Sequence, residues 1–239
     1  MKGHGTGTEK VERELMSYLP GVRVKRIDRE VVEDPMEVED YVDDLLKGKI
    51  DVLVGTKMIT KGFNIPEIGL VCVLDVDALL FAPDFSATLR TFQLLLQVFG
   101  RTSRSSPGKA VLQTFHPEER VYRKLVEGDV EGFYEEELER RKILGYPPFR
   151  DLVHVAIRTR DSAFGRQIIQ KIADSLSGRY EILGPVEHHL FKLKGEYRYH
   201  FIAKVEKAEE FLRDLKEIER VLGIETTAYV NPPSLDLPS

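Results

Sequence analysis

The chain has 239 residues, 42% hydrophobic and 31% charged, a length sufficient for one large domain or two small ones. No apolar run approaches the ~20 residues that span a bilayer and no basic-then-apolar leader opens the sequence, so a soluble, cytoplasmic protein is expected. One cysteine, Cys72, excludes an internal disulfide and a thiolate metal cluster, and a formal net charge of −5 argues against coating nucleic acid by bulk charge.

Residues 1–148 hold 21 basic and 26 acidic side chains, and residues 149–239 hold 14 of each. Any contact with a polyanion must therefore come from a local patch. The Gly-rich opening, with Gly3, Gly5 and Gly7, ends in Thr8, the expected N-cap of a helix over 9–19 that carries Val11, Leu15 and Leu19 on one face. Pro20-Gly21 closes that helix. A short strand follows at 22–27, and a second helix is expected within the acidic stretch 30–44. The β-branched runs 50–54 and 70–76 predict two buried parallel strands, and Cys72, inside the second, is expected to fill core. A helix over 85–99 and a strand over 111–115 complete an alternation that predicts βαβ units and a parallel sheet.

The charged stretch 117–142 places Glu135, Glu136 and Glu137 ahead of Arg140, Arg141 and Lys142, as the helix dipole favours, and predicts a solvated connecting helix. Gly145-Tyr146-Pro147-Pro148 breaks it and marks a domain boundary. Beyond it the pattern is strand 152–159, helix 162–176, strands 180–186 and 197–205, helix 207–222 and strand 224–230. That βαββαβ order predicts a ferredoxin-like sandwich.

No GxxxxGK[ST] loop occurs, and GxGxxG fails at Thr8, so no complete nucleotide site is legible. The N-terminal glycines serve either as plain turns or, through amides at a helix N-terminus, as a hold for a nucleic-acid phosphate. The segment 55–63, with Thr56, Lys57, Thr60 and Lys61, leaves a strand at the end where α/β sheets place ligands. It reads either as an ordinary βα loop or as a phosphate contact. Gln97-Val98-Phe99-Gly100-Arg101-Thr102-Ser103-Arg104 sets two arginines three residues apart, so that both guanidinium groups lie on one side and suit phosphate oxygens. In the second domain Lys192 and Lys194 alternate with Phe191 and Leu193, and Arg198 alternates with Tyr197 and Tyr199. A half-buried strand with solvated charges and a basic nucleic-acid face both fit that alternation. His188, His189 and His200 lack an acidic or cysteine partner at ligand spacing, so no metal site is expected.

Taken in order, GTGTE at 5–9, DVLVGTKMITKGF at 51–63, LDVD at 74–77 and QVFGRTSR at 97–104 resemble the second motor lobe of superfamily 2 helicases. With LQTFHPEE at 112–119, ERRKILGYPPF at 139–149, ILGPV at 182–186 and YRYHFIAK at 197–204, the chain is similar to the primosomal replication-restart helicases over almost its whole length. The resemblance implies a RecA-like lobe over 1–116, a connecting helix and Pro-Pro linker over 117–148, and a smaller α+β DNA-binding domain over 149–239. It also implies an ATP- and Mg2+-dependent helicase that moves 3′ to 5′ on DNA, restarts stalled forks and acts in the cytoplasm at the bacterial nucleoid. Arg101 and Arg104 would then face the γ-phosphate, Gln97 would couple nucleotide to lobe closure, and Gly62 and Gly100 would lie on the cofactor side. Thr56, Lys57, Lys61, Lys192, Lys194 and Arg198 would contact DNA.

The family's Walker A lysine, its DEAH-type box and its zinc-binding, cysteine-rich insert do not occur in this sequence, so the chain alone is expected to be inactive, with zinc confined to that insert. Where the family has GRAGR, Phe99, Thr102 and Ser103 flank the glycine and arginines. Implied partners are forked and single-stranded DNA, single-stranded DNA-binding protein and primosome proteins, with no membrane. The alternative is a docking platform for those proteins without catalysis of its own.

Overall fold

The computed structural model describes residues 7–27, 35–56, 68–82, 84–100 and 108–232. Two compact units emerge, Met1–Ala82 with Ala87–Val130, and Pro83–Ser86 with Glu131–Ser239.

In the first unit, α1 (Thr8–Tyr18) begins one residue before the predicted start. Gly7, not Thr8, is the N-cap, because its extended backbone presents its carbonyl to the amides of Lys10 and Val11 at 2.9 and 3.2 Å. β1 (Val24–Ile27), α2 (Pro35–Leu46) and β2 (Val52–Gly55) form a βαβ unit in which β1 and β2 run parallel, Val24 opposite Val52 and Ile27 opposite Gly55. Asp51 fixes the register just ahead of the ladder. Its carboxylate takes a forked pair of bonds from the Arg23 guanidinium at 2.9 and 2.6 Å and a third from the Arg23 amide at 2.8 Å. Those bonds hold its pKa down at about 2.

β3 (Leu70–Val73) and β4 (Lys109–Leu112) are also parallel, Leu70 opposite Lys109 and Cys72 opposite Val111. Between them lie a short α3 (Asp77–Leu80) and α4 (Ala87–Phe99). Burial here departs from expectation. Alternate residues of a strand point to opposite faces, and one face of this pair is open, with Leu70 55% and Val111 52% exposed. Cys72 lies on that face and is exposed, so it does not fill core. α4 starts two residues later than predicted because the Asp84 carboxylate accepts from the Ser86 amide and hydroxyl at 2.8 and 2.9 Å, closing a turn before the helix. Its Ala87, Thr91, Phe92, Leu95 and Val98 form one buried face, packed against α3 and α5 (Arg120–Glu127).

The single connecting helix predicted over 117–142 is two helices, α5 and α6 (Val130–Leu144). Gly128 is the break. At φ +70 it adopts the left-handed conformation, its amide reaching Leu125 O and that of Asp129 reaching Lys124 O, which satisfies the last carbonyls of α5. Nor is α6 wholly solvated, since Phe133 and Glu137 are buried and Glu137 accepts from Arg141 Nε at 2.9 Å. Arg141 also donates to Pro147 O at 3.0 Å and lies over the Phe85 ring, which in turn packs on Tyr146 at 5.9 Å.

The second unit then runs β5 (Asp151–Thr159), α7 (Ser162–Ser177), β6 (Glu181–Leu193), β7 (Glu196–Val205), α8 (Ala208–Leu222) and β8 (Thr227–Val230). The sheet is antiparallel in the order β6-β7-β5-β8, the ferredoxin-like arrangement that the βαββαβ pattern predicts. Val153, Val155 and Ile157 of β5 and Tyr199, Phe201 and Ala203 of β7 meet Ile169, Ile172 and Leu176 of α7 and Phe211 and Leu215 of α8 in one core. Each fully buried phenylalanine contributes about 2 to 3 kcal/mol. Gly165 lets α7 approach the sheet, for a Cβ there would stand 2.5 Å from Thr159 Cγ2 and 2.8 Å from Tyr199 Cε2.

Asn231, just after β8, joins the first and last strands. Its amide donates to Leu152 O at 2.7 Å, its Oδ1 accepts from Leu152 N at 2.8 Å, and its Nδ2 donates to Asp151 Oδ1 at 2.8 Å. No helix among the described residues is long and apolar enough to cross a membrane.

Candidate functional site

Thr56 follows the last residue of β2 and is exposed at the C-terminal end of that strand, where an open α/β sheet presents its loops. Lys57, Lys61 and Gly62 lie outside the described residues, as do Arg101 and Arg104. Gln97 is exposed on α4, on the side away from the buried face. Gly100 ends the helix with its amide on Leu96 O at 2.9 Å, and a Cβ at this position would meet that same carbonyl at 3.2 Å. The helix therefore closes tightly just ahead of the two arginines.

Asp77 is a polar hub to which the sequence pattern alone assigns no role. Its Oδ1 accepts from Thr114 Oγ1 at 2.7 Å and Tyr122 Oη at 2.8 Å, while Oδ2 accepts from the Phe115 amide at 2.7 Å. One carboxylate thus ties the start of α3 to the segment after β4 and to α5. Burial alone would push its pKa up, but the bonds from Thr114, Phe115 and Tyr122 outweigh it and leave the net shift downward. Tyr122 is pushed up, first by burial and then by its bond to Asp77. The signal in the sequence was faint: an aspartate in the first turn of a helix directly after a strand.

In the second unit Lys192 and Lys194 are exposed near the β6–β7 turn. Leu193 pairs with Glu196, so Lys194-Gly195 is a two-residue turn with φ of +51 and +86, a hairpin geometry that glycine permits at its second position. Lys194 is therefore in the turn, not in an extended strand. Lys192 stacks its ammonium over the Tyr197 ring at 4.8 Å and donates to Tyr197 Oη at 3.3 Å. Arg198 stands on the other face of β7 and is 6% exposed. The three cations share one end of the sheet but not one face, because a break in register between Glu187 and Lys192 shifts β6 against β7.

That other face also carries His154, directly beside His200 at a ring separation of 4.7 Å, with His188 5.4 Å beyond. His154 has no exposed surface, and neither of its ring nitrogens has a hydrogen-bond partner. Burial, followed by the neighbouring His200 and His188, lowers its pKa to about 4, which makes it a neutral ring at physiological pH. Among the described residues no group of histidine, cysteine or acidic side chains is arranged to hold a metal.

Comparison with known proteins assigns both halves. Residues 6–106 match the helicase conserved C-terminal domain, and residues 142–228 match the primosomal protein N C-terminal domain. The replication restart protein PriA of Thermotoga maritima is 52% identical over 235 residues, 98% of this chain and 32% of that protein. The chain belongs to the PriA family. The PriA proteins of Bacillus subtilis and Haemophilus influenzae are 36% and 32% identical, each over 90% of this chain and over 27% and 30% of their own lengths. The chain thus spans about a third or less of the relatives it matches. The first unit is accordingly a RecA-like second helicase lobe with parallel strand pairs, and the second carries the antiparallel C-terminal domain characteristic of PriA.

Proposed function

We propose that this chain is the part of an ATP-dependent DNA helicase that closes on a nucleotide and grips DNA, in a protein that moves 3′ to 5′ and restarts stalled replication forks. In this reading residues 1–116 form the second motor lobe, 117–148 connect, and 149–239 bind branched DNA. The observation that carries it is the presence of a helicase C-terminal match and a primosomal C-terminal match in a single chain.

Arg101 and Arg104, directly after the tight end of α4, face the γ-phosphate and stabilise charge on it. Gln97, exposed on the same helix, couples the nucleotide to closure of the lobes. Gly62 and Gly100 keep the backbone close to that cleft. Thr56, Lys57 and Lys61 hold the DNA backbone at the end of β2, and Lys192, Lys194 and Arg198 contact it in the second domain.

The sequence has no GxxxxGK[ST] loop, so these residues complete a nucleotide site without forming one, and no hydrolytic step belongs to this chain alone. ATP with Mg2+ supplies the free energy of hydrolysis in the full-length protein, whose zinc lies in a separate cysteine-rich insert. The partners in this reading are forked and single-stranded DNA, single-stranded DNA-binding protein and primosome proteins, at the nucleoid. The test is Arg101→Ala and Arg104→Ala in the full-length protein. DNA-stimulated ATP turnover falls by ~10³-fold while DNA affinity is unchanged. Equal loss of both properties refutes the arginine assignment, and appreciable ATP turnover by the present chain refutes its dependence on a second lobe.

A further inference from the structure

The chain crosses between its two units after Ala82, after Ser86 and after Val130. The first two crossings enclose Pro83–Ser86, a short segment that stands between α3 and α4 in sequence and yet belongs to the second unit. A built anchor holds it there. The Asp84 carboxylate, accepting from the Ser86 amide and hydroxyl, closes the turn around Phe85. The Phe85 ring packs on Tyr146 at 5.9 Å, and the Arg141 guanidinium lies over it at 5.4 Å.

Both partners of that ring are themselves fixed. Arg141 donates through Nε to Glu137 at 2.9 Å and through Nη1 to Pro147 O at 3.0 Å. Its Nη2 is buried with no hydrogen-bond partner among the described residues, so the aromatic face compensates a cation withdrawn from water. Tyr146 in turn has the Lys204 ammonium over its ring at 5.3 Å, and Lys204 donates to Leu144 O at 3.1 Å and pairs with Glu181 at 3.1 Å. Arg150 meets the same Glu181 at 2.9 Å and donates to Lys204 O at 3.0 Å. An unbroken series of contacts therefore runs from Phe85 through Tyr146 and Lys204 to β7 and β6 of the sheet.

Ser86 leads directly into α4, whose 13 residues make a rod about 20 Å long at about 1.5 Å per residue. Gln97 lies in its last turn, and Arg101 and Arg104 follow its end at Gly100 in the sequence. A rod of hydrogen-bonded turns carries a displacement of its first residue to its last, and a reaction that depends on orientation loses about 10²-fold for a misplacement of about 1 Å. We infer that Phe85 is a positioning residue for ATP turnover: seated between Arg141 and Tyr146, it ties the start of α4 to the second domain and so sets where Gln97, Arg101 and Arg104 stand against the nucleotide. It touches no reacting atom and acts through the arginines. The inference rests on the proposed role of Arg101 and Arg104, and adds to that role a mechanical link to the second domain.

The experiment measures DNA-stimulated ATP turnover by the full-length protein, as separate kcat and KM values, together with DNA affinity and thermal melting. The variants are Phe85→Ala, Phe85→Tyr, Tyr146→Ala, Arg101→Ala and the double change Phe85→Ala/Arg101→Ala. Phe85→Ala lowers kcat by about 10- to 100-fold and leaves the KM for ATP and the DNA affinity within about twofold, the pattern of a contact that matters only in the transition state. Phe85→Tyr retains the ring and keeps kcat within about twofold of the parent. Tyr146→Ala leaves α4 and its approach unaltered, produces the same split, and keeps the test decisive if Phe85→Ala fails to fold. In the Arg101→Ala background the Phe85 change costs under about threefold, because the group it positions is gone. Parent-like kcat in folded Phe85→Ala and Tyr146→Ala, with turnover lost in Arg101→Ala, overturns the inference and leaves the arginine assignment standing. Parent-like turnover in Arg101→Ala overturns both. A kcat that falls only in proportion to the folded fraction, or a Phe85 effect of equal size in the two backgrounds, reduces Phe85 to packing and overturns its action through the arginines.

Discussion

His154 offers the most quantitative test of the second domain's packing. Its imidazole is wholly buried beside His200 and His188, and its pKa of about 4 lies well below the 6.5 of an exposed histidine. The unfolded chain therefore binds a proton at this position more readily than the folded one. Stability tied to His154 is intact above pH 6.5, declines as the pH falls, and is exhausted below pH 4. Between pH 7.5 and pH 5 the shift amounts to about 2 kcal/mol, and over its whole range to about 3 kcal/mol, at 1.36 kcal/mol per unit. His154→Phe keeps a ring of similar shape and removes both the titration and two buried nitrogens that have no partner. Urea unfolding of the parent and the variant at the two pH values is the assay, with the other titrating groups cancelling in the difference. The parent loses about 2 kcal/mol more than the variant on going to pH 5, and the variant is at least as stable at pH 7.5. Equal pH dependence in the two proteins, or a His154 C2 proton that titrates near 6.5 by NMR, refutes the reasoning.

Three further substitutions probe other features. Gly165→Ala drives a methyl group into Thr159 and Tyr199 and destabilises the second unit by about 1 to 3 kcal/mol, read as a lower urea midpoint with an unchanged slope. Tyr122→Phe removes one donor from Asp77 and costs about 1 kcal/mol, whereas Asp77→Ala strands three donors and costs at least about 2 kcal/mol; similar losses in the two thermal melts would remove Asp77 from the centre of that network. Glu137→Ala leaves the largely buried Arg141 without its carboxylate and destabilises by about 3 to 5 kcal/mol, while the double change with Arg141→Met recovers most of the loss in a double-mutant cycle.

The elements most legible in the sequence were those whose periodicity coincided with burial. The βαββαβ order was readable because β5 and β7 alternate over a single core and α7 and α8 carry apolar stripes against it. Misreadings arose where a tertiary or local backbone effect overrode the pattern. An unbroken charge pattern concealed the left-handed Gly128 that divides α5 from α6. A run of Leu, Val and Cys looked buried on both faces, yet Leu70 and Cys72 are exposed. Alternation in β6 failed to place Lys192 and Lys194 because the register break and the turn at Lys194-Gly195 depend on how two strands pair, which neither strand encodes alone. The cross-strand meeting of Arg158 with Arg198, forty residues away in sequence, was invisible for the same reason. Asp77 is not legible as a hub in the sequence because its three donors come from later segments.

The bonds made by Asn231 bear on the order in which the chain is made. Leu152 and Asn231 are 79 residues apart, yet the Asn231 backbone and side chain extend the β5–β8 ladder and tie the last strand to the first. As the polypeptide leaves the ribosome, β5 acquires its β7 neighbour early but has an open edge on the other side until β8 emerges. A nascent chain that has emerged from the ribosome only as far as the residues before Thr227 holds a nearly finished domain with its central strand unpaired along one side, a state in which chaperones or like chains would find a template for misassembly.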